Sequence, residues 1–331
     1  MRKKWVSGEA IPNFVARATN NPKLQFQNVA GRYTVLCFFG SAAIEKNRQA
    51  LQYALSRQDF FNDVQASFFG VSIDPSDEAT GRVRQITPGF RFLWDDDKKI
   101  SEQFGAITAE QGEKVVYRPF TLLLDHNLRV LAHIPLIDAV KHNEELAAEI
   151  AKLPATRAHH FSAPVLLVPN VFTTEFCTQV IDLYQQNNEN QYKDWLIGED
   201  SKQLNQAIQQ QIAQKLLPEI AKIFYVNISR IEKYAVSCRN FENSKLIRHN
   251  RFNNSPKTAH RKFVVIINWN DEFEGGQVRF PEYSDILYNI PTGGALVASC
   301  NMIQEILPIT QGSKYSSMLF CYDEKLAPTI K

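Results

Sequence analysis

The hydrophobic pattern changes its repeat once along this chain, and that switch limits the folds open to it. In residues 1–153, short apolar runs alternate with stretches of helical period. "RYTVLCFFG", "ASFFGVSID", "RPFTLLLD" and "VLAHIPL" read as strands, the second stopped by Pro75 and the last two joined by the turn "HN". "EKNRQALQYAL", the end of "DDDKKISEQFGA" and "DAVKHNEELAAEIAKL" read as helices. Strands separated by helices predict an α/β layer with some parallel pairing. After residue 163 the order is different. A helix opens near Thr173 or Thr174, with Phe176, Val180, Ile181 and Tyr184 on one face. A second runs through "SKQLNQAIQQQIAQKLLPEIAKIF", where Pro218 is expected to kink or restart it. Only β-type runs follow: "RIEKYAVSC", "KFVVIINWN", "GGQVRFPE", "GALVASC" and "YSSMLFCYD". Many short strands behind two helices predict a β-sandwich or jelly roll with helices on one side.

The switch sets the domain plan: 1–153, a polar linker at 154–163 ("PATRAHHFSA"), and 164–331. A length of 331 residues suffices for two domains, and 44% hydrophobic with 11% aromatic residues supports sizeable cores. The net charge of +2 argues against nucleic acid or an anionic membrane as partner. No run of about 18 apolar residues predicts a spanning helix. "MRKKWVSGEAIPNF" has basic residues with no apolar run behind them, so no secretory signal is expected. Cys37, Cys177, Cys238, Cys300 and Cys321 are scattered without CxxC or zinc spacing. They read as small buried thiols of a reducing cytoplasm. His159 and His160 read as a solvated linker pair, because no carboxylate or cysteine nearby completes a metal site.

In the first domain, "GEAIPNF" (8–14), "GRYTVLCFFGSA" (31–42), "FFGVSIDPSDEA" (68–79), "FLWDDDKKISEQFGA" (92–106) and "RPFTLLLDHNLRVL" (118–131) resemble the peroxiredoxin branch of the thioredoxin fold. The chemistry of that family needs a low-pKa cysteine at the start of the helix after the first central strand. Here the turn reads "GSAAIEKNRQ", with no cysteine from Gly40 to Gln49. Cys37 is expected inside the strand, upstream of the helix and buried. Arg118 is a candidate for the peroxiredoxin arginine, with a surface or turn charge as its plainer role. The domain therefore reads as a structural or interaction module.

In the second domain, "TAHRKFVVIINWNDEFEGGQVRFPEYSDILYNIPTGGALVASCNMIQEILPITQGSKYSSMLFCYDE" (258–324) resembles the prolyl-4-hydroxylase-like branch of the Fe(II)/2-oxoglutarate dioxygenases. The whole chain looks like bacterial fusions of a cysteine-less redoxin domain with such an oxygenase. The resemblance implies a double-stranded β-helix in which two histidines and a carboxylate hold Fe(II). It also implies a basic residue for the far carboxylate of 2-oxoglutarate. Counting back without gaps from Thr258 sets Asn250 at the first histidine and Phe252 at the aspartate. A gapped alternative uses His249 as a residual ligand and leaves Arg251 where the carboxylate belongs. The distal histidine falls at Gln304, before Glu305, and the basic anchor at Lys314, an Arg-to-Lys change. A substitute set of His249, Glu305 and His260 is the remaining way to a metal. Relatives carry a longer substrate-side segment than "QQNNENQYKDWLIGEDSKQ", which implies a missing wall.

These residues predict a cytoplasmic pseudoenzyme with no catalytic residue, no metal and no cofactor. It would act by binding a protein such as an active paralogue, or a small carboxylic acid at Lys314. The alternative is a working dioxygenase that uses Fe(II) and 2-oxoglutarate through a non-standard ligand set. A peroxidase dependent on Cys37 ranks behind both.

Overall fold

The structure is a computed structural model and describes residues 4–109, 115–154, 161–187, 194–197 and 201–326. The chain divides into two compact units, Met1–Ala158 with Pro281–Tyr283, and His159–Phe280 with Ser284–Lys331. Most of the expected linker, including His159 and His160, lies outside the described residues, as does much of the "QQNNENQYKDWLIGEDSKQ" segment. Among the described residues, no helix is long and apolar enough to cross a membrane.

The first unit runs β1 (Val15–Ala18), β2 (Asn21–Gln25), β3 (Tyr33–Gly40), α1 (Glu45–Ser56), β4 (Ala66–Ser72), α2 (Pro75–Ala79), β5 (Phe90–Trp94), α3 (Lys99–Phe104), β6 (Ile107–Ala109), β7 (Val115–Tyr117), β8 (Phe120–Leu124), β9 (Val130–Pro135) and α4 (Ala139–Ala151). Its main sheet has the order β2-β1-β5-β4-β3-β8-β9. The centre, β5-β4-β3, is parallel, and β8 and β9 complete it antiparallel. Because β3 is covered on both faces, every one of its residues is buried, and its sequence is apolar without alternation. Val35, Cys37 and Phe39 join the core that holds Leu51 of α1 and Leu146 of α4. Phe38, on the other face, meets Phe104 and Phe120. Truncating a ring such as Phe39 to Ala would cost about 3–5 kcal/mol. Asp74 caps α2 through Ser76 N–H at 2.9 Å, and Asp138 caps α4 through Lys141 N–H at 3.0 Å.

The second unit runs β10 (Leu166–Val168), α5 (Thr174–Asn187), β11 (Trp195–Leu196), α6 (Lys202–Gln211), α7 (Leu217–Phe224), β12 (Arg230–Ile231), β13 (Ala235–Asn240), β14 (Ile247–His249), β15 (Phe263–Asn268), β16 (Phe273–Gly275), β17 (Val278–Arg279), β18 (Leu287–Tyr288), β19 (Ala295–Ser299), β20 (Gln304–Ile306) and β21 (Ile309–Tyr322). Thr173 Oγ1 accepts from Phe176 N–H at 3.3 Å and so caps α5. A π-helical stretch, Ile212–Leu216, joins α6 to α7, and Pro218 falls in the first turn of α7. The chain stays helical through Pro218, which sits just where the π-helical stretch hands over to α7.

The unit is β-rich. An eight-stranded sheet follows the path β10-β19-β15-β21-β13-β11, with β12 and β16 paired to β21, and a four-stranded sheet runs β14-β20-β17-β18. Phe263, Val265 and Ile267 of β15 and Leu319 and Cys321 of β21 face the helices, in one core with Val180, Ile208 and Ile220. The alternate residues of these strands turn to the opposite face. That opposite face carries the site.

Candidate functional site

Strand alternation aims a defined set of side chains between the two sheets of the second unit. Arg239 and Ser237 of β13, Lys314, Ser316 and Met318 of β21, and Ile266 of β15 line one side of a cavity of about 230 Å³. Ile247 and His249 of β14, Ile306 of β20 and Val278 of β17 line the other. The register of β14 and β20 sets Ile247 against Ile306, Arg248 against Glu305 and His249 against Gln304. Cross-strand partners point to the same face, so Gln304 shares the inner face with His249 and Ile306. Arg248 and Glu305 share the outer one.

The three expected ligand positions have different surroundings. Asn250 is exposed just beyond β14. Phe252 is half-buried, its ring centroid 5.1 Å from His249 and 5.0 Å from Phe320, and its N–H donates to Cys300 O at 2.8 Å. Gln304 is 1% exposed, and neither its Oε1 nor its Nε2 has a hydrogen-bond partner. His249 is kept neutral, its pKa lowered by burial and then by the charge of Arg239.

The substitute set is dispersed. Glu305 accepts from Arg248 at 2.7 Å and from Arg279 at 2.6 and 3.0 Å. Burial pushes its carboxyl up, but the Arg279 and Arg248 bonds outweigh that and hold it below the usual range. His260 Nε2 lies 3.0 Å from Glu232 Oε1, and Glu232 also takes both arms of Arg261, at 2.6 and 2.7 Å. The Arg261 guanidinium stands 3.9 Å over the ring of Phe320. Among the described residues, no group of three or more His, Cys, Asp or Glu could hold a metal ion. An Fe(II) centre of the dioxygenase type needs two imidazoles and a carboxylate on one face. The inner face of β14 and β20 offers one imidazole and one amide, so the residues present do not fit it.

The other end of the cavity is cationic. Lys314 is 7% exposed, its Nζ donates to Gly276 O at 2.6 Å, and it lies 5.1 Å from the ring of Phe273. Burial, with Arg239 nearby, pulls its pKa down to about 8. Gly276 has φ +67°, and a Cβ there would meet Ile309 Cδ1 at 2.5 Å and Lys314 Cδ at 3.1 Å. The second glycine of "EGGQ" thus makes room for the lysine. Arg239 is the cross-strand partner of Lys314. Sequence reasoning missed it, although the period-two spacing of Ser237 and Arg239 in "KYAVSCRN" was a usable signal.

In the first unit, Cys37 is 2% exposed within β3, and burial pushes its thiol up to about 12 against a Thr121 hydrogen bond. No cysteine stands between Gly40 and Gln49, where α1 begins. The turn is held instead by carboxylates. Asp77 accepts from Ala42 N–H at 3.0 Å, Ser72 Oγ at 2.7 Å and Arg82 at 3.1 Å, and Asp74 accepts from Ser41 Oγ at 2.7 Å. Arg118 is half-buried, and its backbone N–H donates to Ala106 O at 2.7 Å.

The AhpC/TSA family profile matches residues 7–133. The N-terminal half therefore holds a peroxiredoxin-like domain of the thioredoxin fold. Among solved structures, the chain is similar to peroxidoxin BcpB of Mycobacterium tuberculosis, at 18% identity over 46% of this chain and 100% of that one, with a TM-score of 0.39. It is also similar to the viral collagen prolyl hydroxylase vCPH of Paramecium Bursaria Chlorella virus-1, at 11% identity over 52% of this chain and 94% of that one, with a TM-score of 0.40. No curated protein matches the chain.

Proposed function

We propose that the C-terminal unit is a double-stranded β-helix that has lost its metal chemistry. In this reading the chain is a pseudoenzyme of the prolyl-hydroxylase-like 2-oxoglutarate/Fe(II) dioxygenases and acts by binding. The observation that carries it is the inner face of β14 and β20, where His249 meets an unpaired amide and the ring of Phe252 instead of a second imidazole and a carboxylate. The occupant expected in the cavity is a small carboxylic acid held at Lys314, supported by the neighbouring cation Arg239. The first unit is read as an interaction module, with an active paralogue as the kind of partner expected. That role is supported by a buried, high-pKa Cys37. Five free, buried thiols favour a cytoplasmic setting.

Anaerobic Fe(II) titration and a succinate assay with 2-oxoglutarate test the reading. The expected result is no stoichiometric iron and no succinate, with acid binding that disappears in Lys314→Met. Stoichiometric iron with succinate formation overturns it in favour of the active dioxygenase with a non-standard ligand set.

A further inference from the structure

We propose that the cavity between the two C-terminal sheets takes an aliphatic monocarboxylate, its charged head at Lys314 and its tail inward, in preference to a dicarboxylate of the same length. The inference rests on the acid-binding reading above and adds the chemistry of the ligand's other end.

Strand register grades the cavity wall from charged to apolar. Between β13 and β21, Arg239 stands opposite Lys314 and, two residues on, Ser237 stands opposite Ser316. Two residues further along β21, Met318 stands opposite Ile266 of β15. All six line the cavity. Each two-residue step covers about 7 Å of strand, so the wall passes from cations through hydroxyls to aliphatic side chains over about 14 Å. The other sheet continues the apolar part. Ile306 pairs with Ile247 on one side and with Val278 on the other, and these three line the same cavity.

Exposure follows the same order. Arg239 and Lys245 are exposed, Ser237 and Ser316 are half-buried, and Ile266 and Val278 are buried. The cations thus mark the mouth, with the buried Lys314 beside Arg239, and the aliphatic groups form the floor. The carboxylate on the lining, Asp194, is exposed as well. Among the described residues, the positive charges of the lining are Arg239, Lys245 and Lys314, because the His249 ring is neutral.

A monocarboxylate matches both parts. Lys314 uses one of its three donors on Gly276 O, which leaves donors for a carboxylate. Each methylene of the tail that leaves water for the floor adds to affinity. A second carboxylate carried to the floor would leave water with no cation to meet it. The volume of about 230 Å³ equals the liquid volume of roughly eight waters, which suits an acid of about six carbons.

The test is calorimetry on the full chain near neutral pH with a chelator present. The probes are the straight-chain acids from butanoate to octanoate, adipate as the dicarboxylate counterpart of hexanoate, and 2-oxoglutarate. Hexanoate is expected to bind at least roughly tenfold tighter than either diacid. Met318→Lys sets a cation at the floor and is expected to bring the preference for hexanoate over adipate to about one or below. Met318→Ala keeps the charge, enlarges the floor, and is expected to move the tightest binding from hexanoate to a longer acid. Diacids that bind as tightly as hexanoate in the wild type overturn the monocarboxylate inference and leave the acid-binding reading standing. So does an unchanged preference in a folded Met318→Lys protein, or an unchanged chain-length optimum in Met318→Ala. No heat with any of the acids overturns both.

Discussion

His249 and Gln304 stand opposite each other across the antiparallel pair of β14 and β20, an imidazole against an amide with no hydrogen-bond partner. The pairing fixes which residues of "RHNRFN" look inward. His249 does, Asn250 is exposed, and Phe252 packs on His249 from beyond the strand.

That relationship separates two ways of rebuilding a metal site. Arg251→Asp with Gln304→His keeps His249 and is expected to gain stoichiometric Fe(II). Asn250→His, Phe252→Asp and Gln304→His sets its first imidazole on an exposed residue and is expected to stay metal-free. Metal analysis after anaerobic loading decides, and iron in the triple variant alone would restore the ungapped count from Thr258.

Glu305 holds the outer face of the same strand pair. Its side chain is 7% exposed, and its partners Arg248 and Arg279 are 26% and 29% exposed. Glu305→Gln is expected to cost about 1–3 kcal/mol, below the figure for a fully buried pair because water reaches both arginines. The folded carboxyl titrates below its unfolded value of about 4.3. Its stabilisation is complete above that value and is lost as pH falls through the folded one. Urea titrations should therefore show the gap between wild type and variant closing in acid.

Lys314 should couple acid binding to pH. Its ammonium titrates near 8 in the fold, against about 10.4 in a free chain. Acid affinity is expected to hold below that folded value and to fall up to about tenfold per pH unit above it. Stability has the opposite sign. Between the two values only the unfolded chain keeps the proton, so stability rises with pH across that window. Lys314→Met should gain on the order of 1–3 kcal/mol near neutral pH, lose acid binding, and show no such rise.

Cys37 should be chemically silent. A thiol pushed up to about 12 and 2% exposed forms no useful thiolate near neutral pH. Native protein treated with iodoacetamide is expected to leave Cys37 unmodified, and denatured protein to label it fully, by peptide mass spectrometry. Native labelling, together with peroxide consumption lost in Cys37→Ala, would revive a peroxidase role.

Local patterns carried much of the fold into view. Unbroken apolar runs such as "YTVLCFFG" mark strands covered on both faces, and Thr173, Asp74 and Asp138 cap their helices through contacts a few residues away. The site was only partly legible. Lys314 and Gln304 came into view through the resemblance to the dioxygenases, and period-two spacing could place Arg239 on one face of its strand, but its pairing with Lys314 is a register between strands far apart in the chain.

By itself, the sequence determined that the chain holds an α/β half and a β-rich half, and that no cysteine opens α1. Residue period and residue identity are local properties, and they survive without a structure. Which of His249 and Asn250 faces the cavity was decided only by the tertiary structure. A shift of one residue turns every side chain of a strand to its other face. The count from Thr258 to β14 crosses irregular chain whose path no periodicity constrains. The pairing with β20, contributed by a distant part of the chain, selects His249 and leaves Gln304 buried beside it without a partner.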